Sequence, residues 1–154
     1  MDVFYYWKDH REDRKQGRLG RFRSGKDKLN DLRAGRPDDI WVFKTPDGQK
    51  GRLQLLGRLR WSDTPPVAFT PAPGESHVFY YPDHPESVWF DGSGEESAIE
   101  AVTTWVRTHF PKAVSANFQG TSGQHELRGA QRGALKDIAR RLAERPFRTA
   151  FAST

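Results

Sequence analysis

The sequence feature that most constrains the fold is a pair of apolar, strand-forming runs joined by a turn. The first run covers residues 39–43 (DIWVF), and the second extends from Leu53 to Trp61. Residues 45–48 (TPDG) between them suit a tight turn, because proline fixes φ and glycine accepts a positive φ. This pattern predicts an antiparallel hairpin. Gly57 within the second strand indicates a bulge or a close approach of another backbone.

Further apolar patterns predict strands and helices on both sides of this hairpin. Strands are expected at residues 3–7, 21–23, 77–81 and 87–90, and helices at 26–32, between Ser93 and Pro111, and at 131–144. Residues 8–18 suit either a loop or a short helix, and the proline-rich connection after Ser62 is expected to be irregular. Ser93 and Glu96 have the spacing of a capping box. We therefore expect one mixed α/β (α+β) domain over residues 1–154.

Cysteine usage and hydropathy restrict the classes of protein that fit. The chain has no cysteine, which excludes disulfides, thiolate nucleophiles and cysteine-based zinc sites. It has no apolar run near the roughly 18 residues that span a bilayer, and its first residues lack a signal-peptide pattern. Mean hydropathy is −0.83, although 12% of the residues are aromatic. We expect a soluble, cytoplasmic protein without a membrane partner, and a core rich in rings.

The positive charge is concentrated in the first quarter of the chain. Residues 1–36 contain eleven Lys/Arg and six Asp/Glu, whereas the remaining residues contain fourteen of each sign. The whole net charge of +5 therefore lies in this segment. Such a basic region is typical of a surface that binds polyanions. A solvated face remains the alternative, since acidic residues are interleaved with the basic ones.

The motifs that would indicate catalysis are incomplete. Residues 20–26 match part of a phosphate-binding loop, but Asp27 stands where a Ser or Thr hydroxyl should hold Mg²⁺. Asp38 together with residues 47–50 (DGQK) comes near the nuclease pattern of an acidic residue followed by Asp/Glu-x-Lys. Two residues instead of one separate Asp47 from Lys50, so the pattern is not met. The five histidines lack the spacing of a metal site, although His125 in its Gly-rich loop could be functional. We expect no catalytic activity, no metal and no cofactor.

Two tryptophans stand out among the five in the chain. Trp7 and Trp61 each end an apolar strand and are followed at once by polar residues. A ring at such a position beside hydrogen-bonding groups is what a base-stacking pocket requires. An aromatic lid over the core explains the same pattern, and both interpretations stay open.

The order of features over residues 3–63 resembles the PUA-like superfamily, most of all its EVE and YTH branches. Residues 3–8 are similar to the family's opening strand, which ends at the ligand pocket. Residues 20–24 resemble the segment that leads into a short helix bordering that pocket. Residues 32–35 followed by 39–43 resemble its Leu-Gly-Asp-strand signature, and residues 57–61 its next strand.

This resemblance implies a β-barrel core flanked by helices, with an aromatic cage for a flipped or modified base. The base-binding residues that it implies are Trp7, Lys8, Arg23, Ser24 and Trp61, with Trp41 or Phe43 nearby. The implied phosphate-binding residues are Arg18, Arg21 and Lys26. Modules of this kind are often fused to nucleases, so a partner nuclease or another effector domain is expected.

Together these observations favour a nucleic-acid-binding domain that reads a base of DNA or RNA. The main alternative is a protein-interaction domain whose basic face meets an acidic partner, and a nuclease is the third hypothesis. Binding that weakens with salt would separate the first hypothesis from the second.

Overall fold

The structure, a computed structural model, describes residues 1–66, 68 and 70–152. The strands found in this part of the chain are β1 Asp2–Tyr6, β2 Arg21–Ser24, β3 Asp39–Lys44, β4 Gln54–Ser62, β5 Ser76–Tyr81, β6 Val88–Asp91, β7 Gln124–Leu127 and β8 Ala143–Pro146. The helices are α1 His10–Gln16, α2 Lys26–Ala34, α3 Glu96–His109, α4 Pro111–Ser115, α5 Gly129–Ala139 and α6 Phe147–Ala152, and Gly120–Gly123 form a 3₁₀ turn. The expectation of a mixed α+β fold is confirmed.

The strands form one curled, half-barrel sheet flanked by helices. Its main path runs β2-β5-β4-β3-β1-β7, while β6 pairs with β4 and β8 pairs with β6. β1 and β3 run parallel, and the other pairs are antiparallel. The predicted hairpin is the β3–β4 pair, and the segment that suited either a loop or a helix contains α1.

Alternate side chains of β1 and β3 enter two hydrophobic clusters on opposite faces of the sheet. Val3 and Tyr5 pack in one cluster with α2 and α6, whereas Phe4 packs in the other with α3 and α5. Successive strand residues point to opposite faces, so a strand covered on both sides must be apolar throughout. This explains why the two strands read as unbroken apolar runs in the sequence.

Gly57 serves both purposes that the sequence indicated. The β3–β4 register shifts between Val42 and Phe43, opposite Gly57 and Leu55, which marks a bulge. On the other side β6 lies so close that a Cβ on Gly57 would sit 2.5 Å from the carbonyl oxygen of Val88. No side chain fits in that space. Glycine at this position therefore allows β6, which lies off the main sheet path, to pair with β4.

Two details of the predicted helices are wrong. Ser93 does not cap α3: the N-cap residue is Glu95, and Ser93 Oγ accepts a 3.0 Å hydrogen bond from Gln54 Nε2 instead. The last predicted helix stops at Ala139, five residues early, because residues 143–146 pair with β6 as β8. Helix α6 follows and brings Phe147 and Phe151 into the core.

None of the helices in the described ranges is both long and apolar enough to cross a membrane.

Candidate functional site

A cleft opens where the two ends of the main sheet path approach each other. β2 and β7 are not neighbours in the sheet, but Ser24 Oγ of β2 donates a 2.7 Å hydrogen bond to Gln124 Oε1 of β7. The space along this seam has a volume of about 400 Å³. We call it the seam cleft, and it is lined by Tyr5, Tyr6, Lys8, Asp9, Arg23, Ser24, Gly25, Lys28, Phe118, Gly120, Thr121, Gly123 and Gln124.

One wall of the seam cleft is the half-buried ring of Tyr6, which is backed by the buried ring of Phe118. The rings of Tyr6 and Phe118 lie 4.9 Å apart with an angle of only 4° between their planes. The Tyr6 hydroxyl accepts a 3.3 Å hydrogen bond from the backbone N–H of Thr45. This places a flat, firmly held aromatic surface beside the hydrogen-bonding groups of β2 and β7.

The loop that carries Phe118 has an unusual backbone. Asn117 and Phe118 both have a φ of 56°, a left-handed conformation that is rare for a large side chain. The Phe118 N–H donates a 2.9 Å hydrogen bond to the carbonyl of Ala113. A Cβ on Gly123 would lie 2.8 Å from the Phe118 carbonyl oxygen and 3.2 Å from Tyr6 Cβ. The backbone of Gly123 therefore lies close against both Phe118 and Tyr6, and a larger residue would not fit there.

Tyr5 links the cleft to the core beneath it. Its hydroxyl donates a 2.6 Å hydrogen bond to the backbone carbonyl of Arg23, and its ring stacks on Phe22 at 4.6 Å. Burial raises the pKa of the Tyr5 phenol above its usual range. The hydroxyl therefore stays protonated and anchors β2 to β1 at the point where Arg23 enters the cleft.

The charge of the seam cleft is positive on balance. Its lining contains three cations, Lys8, Arg23 and Lys28, and one carboxylate, Asp9. Arg23 also lies 3.3 Å from Glu75, whereas neither lysine has an ion-pair partner within the described residues. Clefts lined by one sign of charge attract ligands of the opposite sign, so this one favours an anion.

A second, more polar cavity of about 290 Å³ lies on the other side of Arg23. We call it the arginine pocket, because Arg18, Arg21 and Arg23 line it together with Asp13, Glu75 and His77. Burial lowers the pKa of His77, which keeps its imidazole neutral. Arg23 belongs to both cavities and so connects them.

The structure separates the predicted binding residues into groups. Lys8, Arg23 and Ser24 all line the seam cleft. Arg18 and Arg21 line the arginine pocket next to it. Lys26 is exposed in the first turn of α2 and lines neither cavity. Three of the predicted residues thus lie together in the candidate cleft, at the end of β1 and in β2.

The predicted aromatic residues lie in the core. Trp7, Trp41, Phe43 and Trp61 are 2%, 0%, 0% and 7% exposed, and none of them lines the seam cleft. Their placement as rings open to a base is therefore wrong, and the core alternative describes Trp7 and Trp61. The indole N–H groups are also occupied: Trp7 donates to Asp13, Trp41 to Asp2 and Trp61 to Asp63.

Sequence reasoning missed the far side of the cleft. The sequence did not assign four of its residues to the site: Tyr6, Lys28, Phe118 and Gln124. In that region it singled out only His125, in its Gly-rich loop, as a residue that could be functional. His125 itself lies in β7, paired with Phe4, and its ring stacks on Phe110 at 4.8 Å. Burial lowers its pKa, which fits a neutral, packed histidine.

Comparisons with known proteins add nothing to this geometry: no family model, no curated protein and no solved structure matches the chain. Within the described residues, no three His, Asp or Glu side chains lie close enough together to hold a metal ion.

Proposed function

We propose that this protein binds nucleic acid, taking one unstacked base into the seam cleft and holding the adjoining backbone with the basic residues around it. One observation carries the proposal. The seam cleft combines a flat aromatic wall, hydrogen-bonding side chains from two strands, and an excess of positive charge. These are the three features that a nucleotide requires, since its base stacks and hydrogen-bonds and its phosphate is an anion.

The dimensions of the cleft support this proposal. Its volume of about 400 Å³ falls within the ~300–1,000 Å³ of small-ligand sites. A cleft bounded by two strands cannot admit an intact duplex, whereas a single base can enter once it leaves its stack. Single-stranded or locally opened nucleic acid is thus the form that fits.

The position of the cleft within the fold also supports the proposal. The resemblance to the PUA-like superfamily implies a pocket bordered by the end of the first strand and by the start of the helix after residues 20–24. Tyr6 and Lys8 at the end of β1, and Gly25 at the start of α2, all line the seam cleft. The stacking surface that we propose is the half-buried ring of Tyr6, with the buried Phe118 supporting it from behind, in place of the buried tryptophans.

The arginine pocket provides a route for the backbone. Arg23 lines both cavities, so a phosphate next to the bound base can reach Arg18 or Arg21. Arg18 contacts Asp13 at 3.4 Å through one nitrogen, and a guanidinium has five N–H donors, so Arg18 keeps donors for a phosphate. Charge-assisted bonds to phosphate are among the strongest that proteins make.

The test is a salt titration of binding to fluorescent oligonucleotides, followed by anisotropy. Matched single-stranded and duplex DNA and RNA are compared, each with and without methylated or hydroxymethylated bases. We expect single strands to bind more tightly than duplexes. Lys28→Ala should weaken binding and reduce the salt slope by about 0.7, the value for one phosphate contact on a single strand.

Lys136→Ala is the charge-matched control, because Lys136 is exposed on α5 and lines neither cavity. It should leave both the affinity and the salt slope nearly unchanged. Equal losses in the two variants would mean that only net charge matters. Absence of binding to every oligonucleotide would overturn the proposal in favour of an acidic protein partner.

A further inference from the structure

Gln124 occupies a distinctive place in the seam cleft. It begins β7, pairs with Tyr5 of β1, and is half-buried. Its side chain reaches across the seam to Ser24, which is 100 positions away in the chain. The amide therefore lies among the groups that would meet the edge of a base in the cleft, and this inference rests on the proposed function.

In the structure the amide of Gln124 turns its Oε1 towards Ser24. A serine hydroxyl has one proton to donate, and Ser24 Oγ lies 2.7 Å from Gln124 Oε1 but 3.3 Å from the carbonyl oxygen of Gly25. The shorter contact takes the proton, so Oε1 is already occupied as an acceptor. Gln124 Nε2 keeps two N–H donors, and no acceptor contacts it within the described part of the chain.

Three of the four charged groups that line the cleft with Gln124 are cations. Lys8, Arg23 and Lys28 can only donate hydrogen bonds, and Asp9 is the one carboxylate in the lining. A ligand edge that faces Gln124 must therefore offer an acceptor. An exocyclic amine at that edge would set donor against donor and leave the amide N–H groups without a partner, which costs affinity.

We propose that Gln124 is the specificity-determining residue of the seam cleft. Its Nε2 donates to a carbonyl oxygen of the base, so that the cleft selects oxo bases over their amino counterparts. Uracil, thymine and guanine carry such an oxygen, whereas cytosine and adenine carry an amine at the equivalent ring position. Ser24 acts as a positioning residue that holds the amide in this orientation.

The test measures a ratio of affinities, which removes general effects on binding. Single-stranded 12-mers of deoxyuridine and deoxycytidine are compared by anisotropy, and a second pair contrasts hypoxanthine with adenine at one central position. We expect the protein to bind the oxo member of each pair about fivefold more tightly, the size of one net hydrogen bond. Gln124→Leu should bring both ratios close to one.

Two further variants make the assignment sharper. Gln124→Glu converts the donor into an acceptor and should invert the preference, although the added negative charge weakens binding to all oligonucleotides. Ser24→Ala frees the amide to rotate, so the ratios should fall while binding persists. Gln16→Leu alters an exposed glutamine on α1 outside the cleft and should keep the preference of the unmodified protein.

Each outcome has a separate meaning. Failure of the unmodified protein to bind any oligonucleotide would overturn the proposed function and this inference with it. Binding with equal affinity for oxo and amino bases, or a preference that survives Gln124→Leu, would overturn the role of Gln124 alone. Circular dichroism and thermal unfolding of every variant separate loss of binding from loss of fold.

Discussion

Trp7 Nε1 donates a 2.7 Å hydrogen bond to Asp13 Oδ2, and this bond fastens α1 to the end of β1. The indole is packed edge-on against His10 and Phe22 and stacked against Phe151. Asp13 is only 8% exposed, and burial raises the pKa of its carboxyl although the bond from Trp7 opposes that shift. The pair is thus a buried polar link between the ring cluster around Trp7 and the arginine pocket, where Asp13 also contacts Arg18.

Removing Asp13 should destabilise the protein. Asp13→Ala leaves the Trp7 indole N–H without its acceptor in the core, which costs about 1–3 kcal/mol. Asp13→Asn keeps an acceptor oxygen and should cost less. Urea denaturation measures both changes, with Asp31→Ala on the exposed face of α2 as a control expected within about 0.5 kcal/mol. Equal stability of Asp13→Ala and the control would show that the bond contributes nothing.

Trp61 should matter for stability and not for binding. Trp61→Phe removes part of a buried ring and the 2.9 Å bond to Asp63 Oδ1, so the free energy of unfolding should fall by about 1–3 kcal/mol. Because Trp61 does not line the seam cleft, affinity for single-stranded oligonucleotides should stay within about twofold. A large loss of affinity in the folded variant would return Trp61 to the binding site.

Two glycines should respond to alanine in opposite directions. Gly57→Ala forces a Cβ to within 2.5 Å of the Val88 carbonyl oxygen, and a backbone atom cannot move aside cheaply, so we expect a loss of about 1–3 kcal/mol. Gly133 lies inside α5 with open space around it, and Gly133→Ala should gain about 0.5–1 kcal/mol from helix propensity. Thermal unfolding of the two variants checks the signs.

His10 should make the protein sensitive to mild acid. Burial, reinforced by nearby Lys44 and Arg14, lowers the pKa of His10 to about 4. The unfolded chain therefore takes up the proton first, so the stabilisation is complete above pH ~6.5 and is lost as the pH falls towards 4. After allowance for the partial exposure of the ring, the loss between pH 7.5 and 5 should be about 1 kcal/mol.

His10→Gln should lack this loss, and urea midpoints at the two pH values measure it. Asp39 acts in the opposite direction, because burial raises its pKa to about 6 and the folded state then binds the extra proton. That contribution is common to both proteins and cancels in the comparison. An identical pH response in His10→Gln and the unmodified protein would contradict the assignment.

The sequence allows most of the sheet to be predicted, for a physical reason. β1, β3 and β4 are covered on one or both faces, so their buried positions must be apolar. The resulting apolar runs predict strands directly from the sequence. β7 and β8 have the sequences QHEL and AERP, in which no alternation or apolar run marks a strand. They are strands because β1 and β6 offer them backbone partners, and that information is tertiary.

The candidate site was predictable to the same extent. Lys8, Arg23 and Ser24 lie in the segments that carry the resemblance over residues 3–63, and that resemblance is what implied them. Gln124 and Phe118 come from a polar loop far along the chain, and only the curling of the sheet brings them to the seam. Trp7 and Trp61 were predicted as rings open to a base, but they are buried. A tryptophan at a strand end followed by polar residues can also cap the core, and the sequence does not distinguish the two placements.

The pairing of β1 with β7 also has a consequence for how the protein is made. Ser24 and Gln124 are 100 positions apart, so a ribosome that has just released β1 and β2 has yet to synthesise the strand that faces them. Contacts between such distant segments form late, since a long loop must close first. A nascent chain that stops before β7 thus displays Lys8, Arg23 and Ser24 on an unclosed sheet and has no cleft for a base to enter.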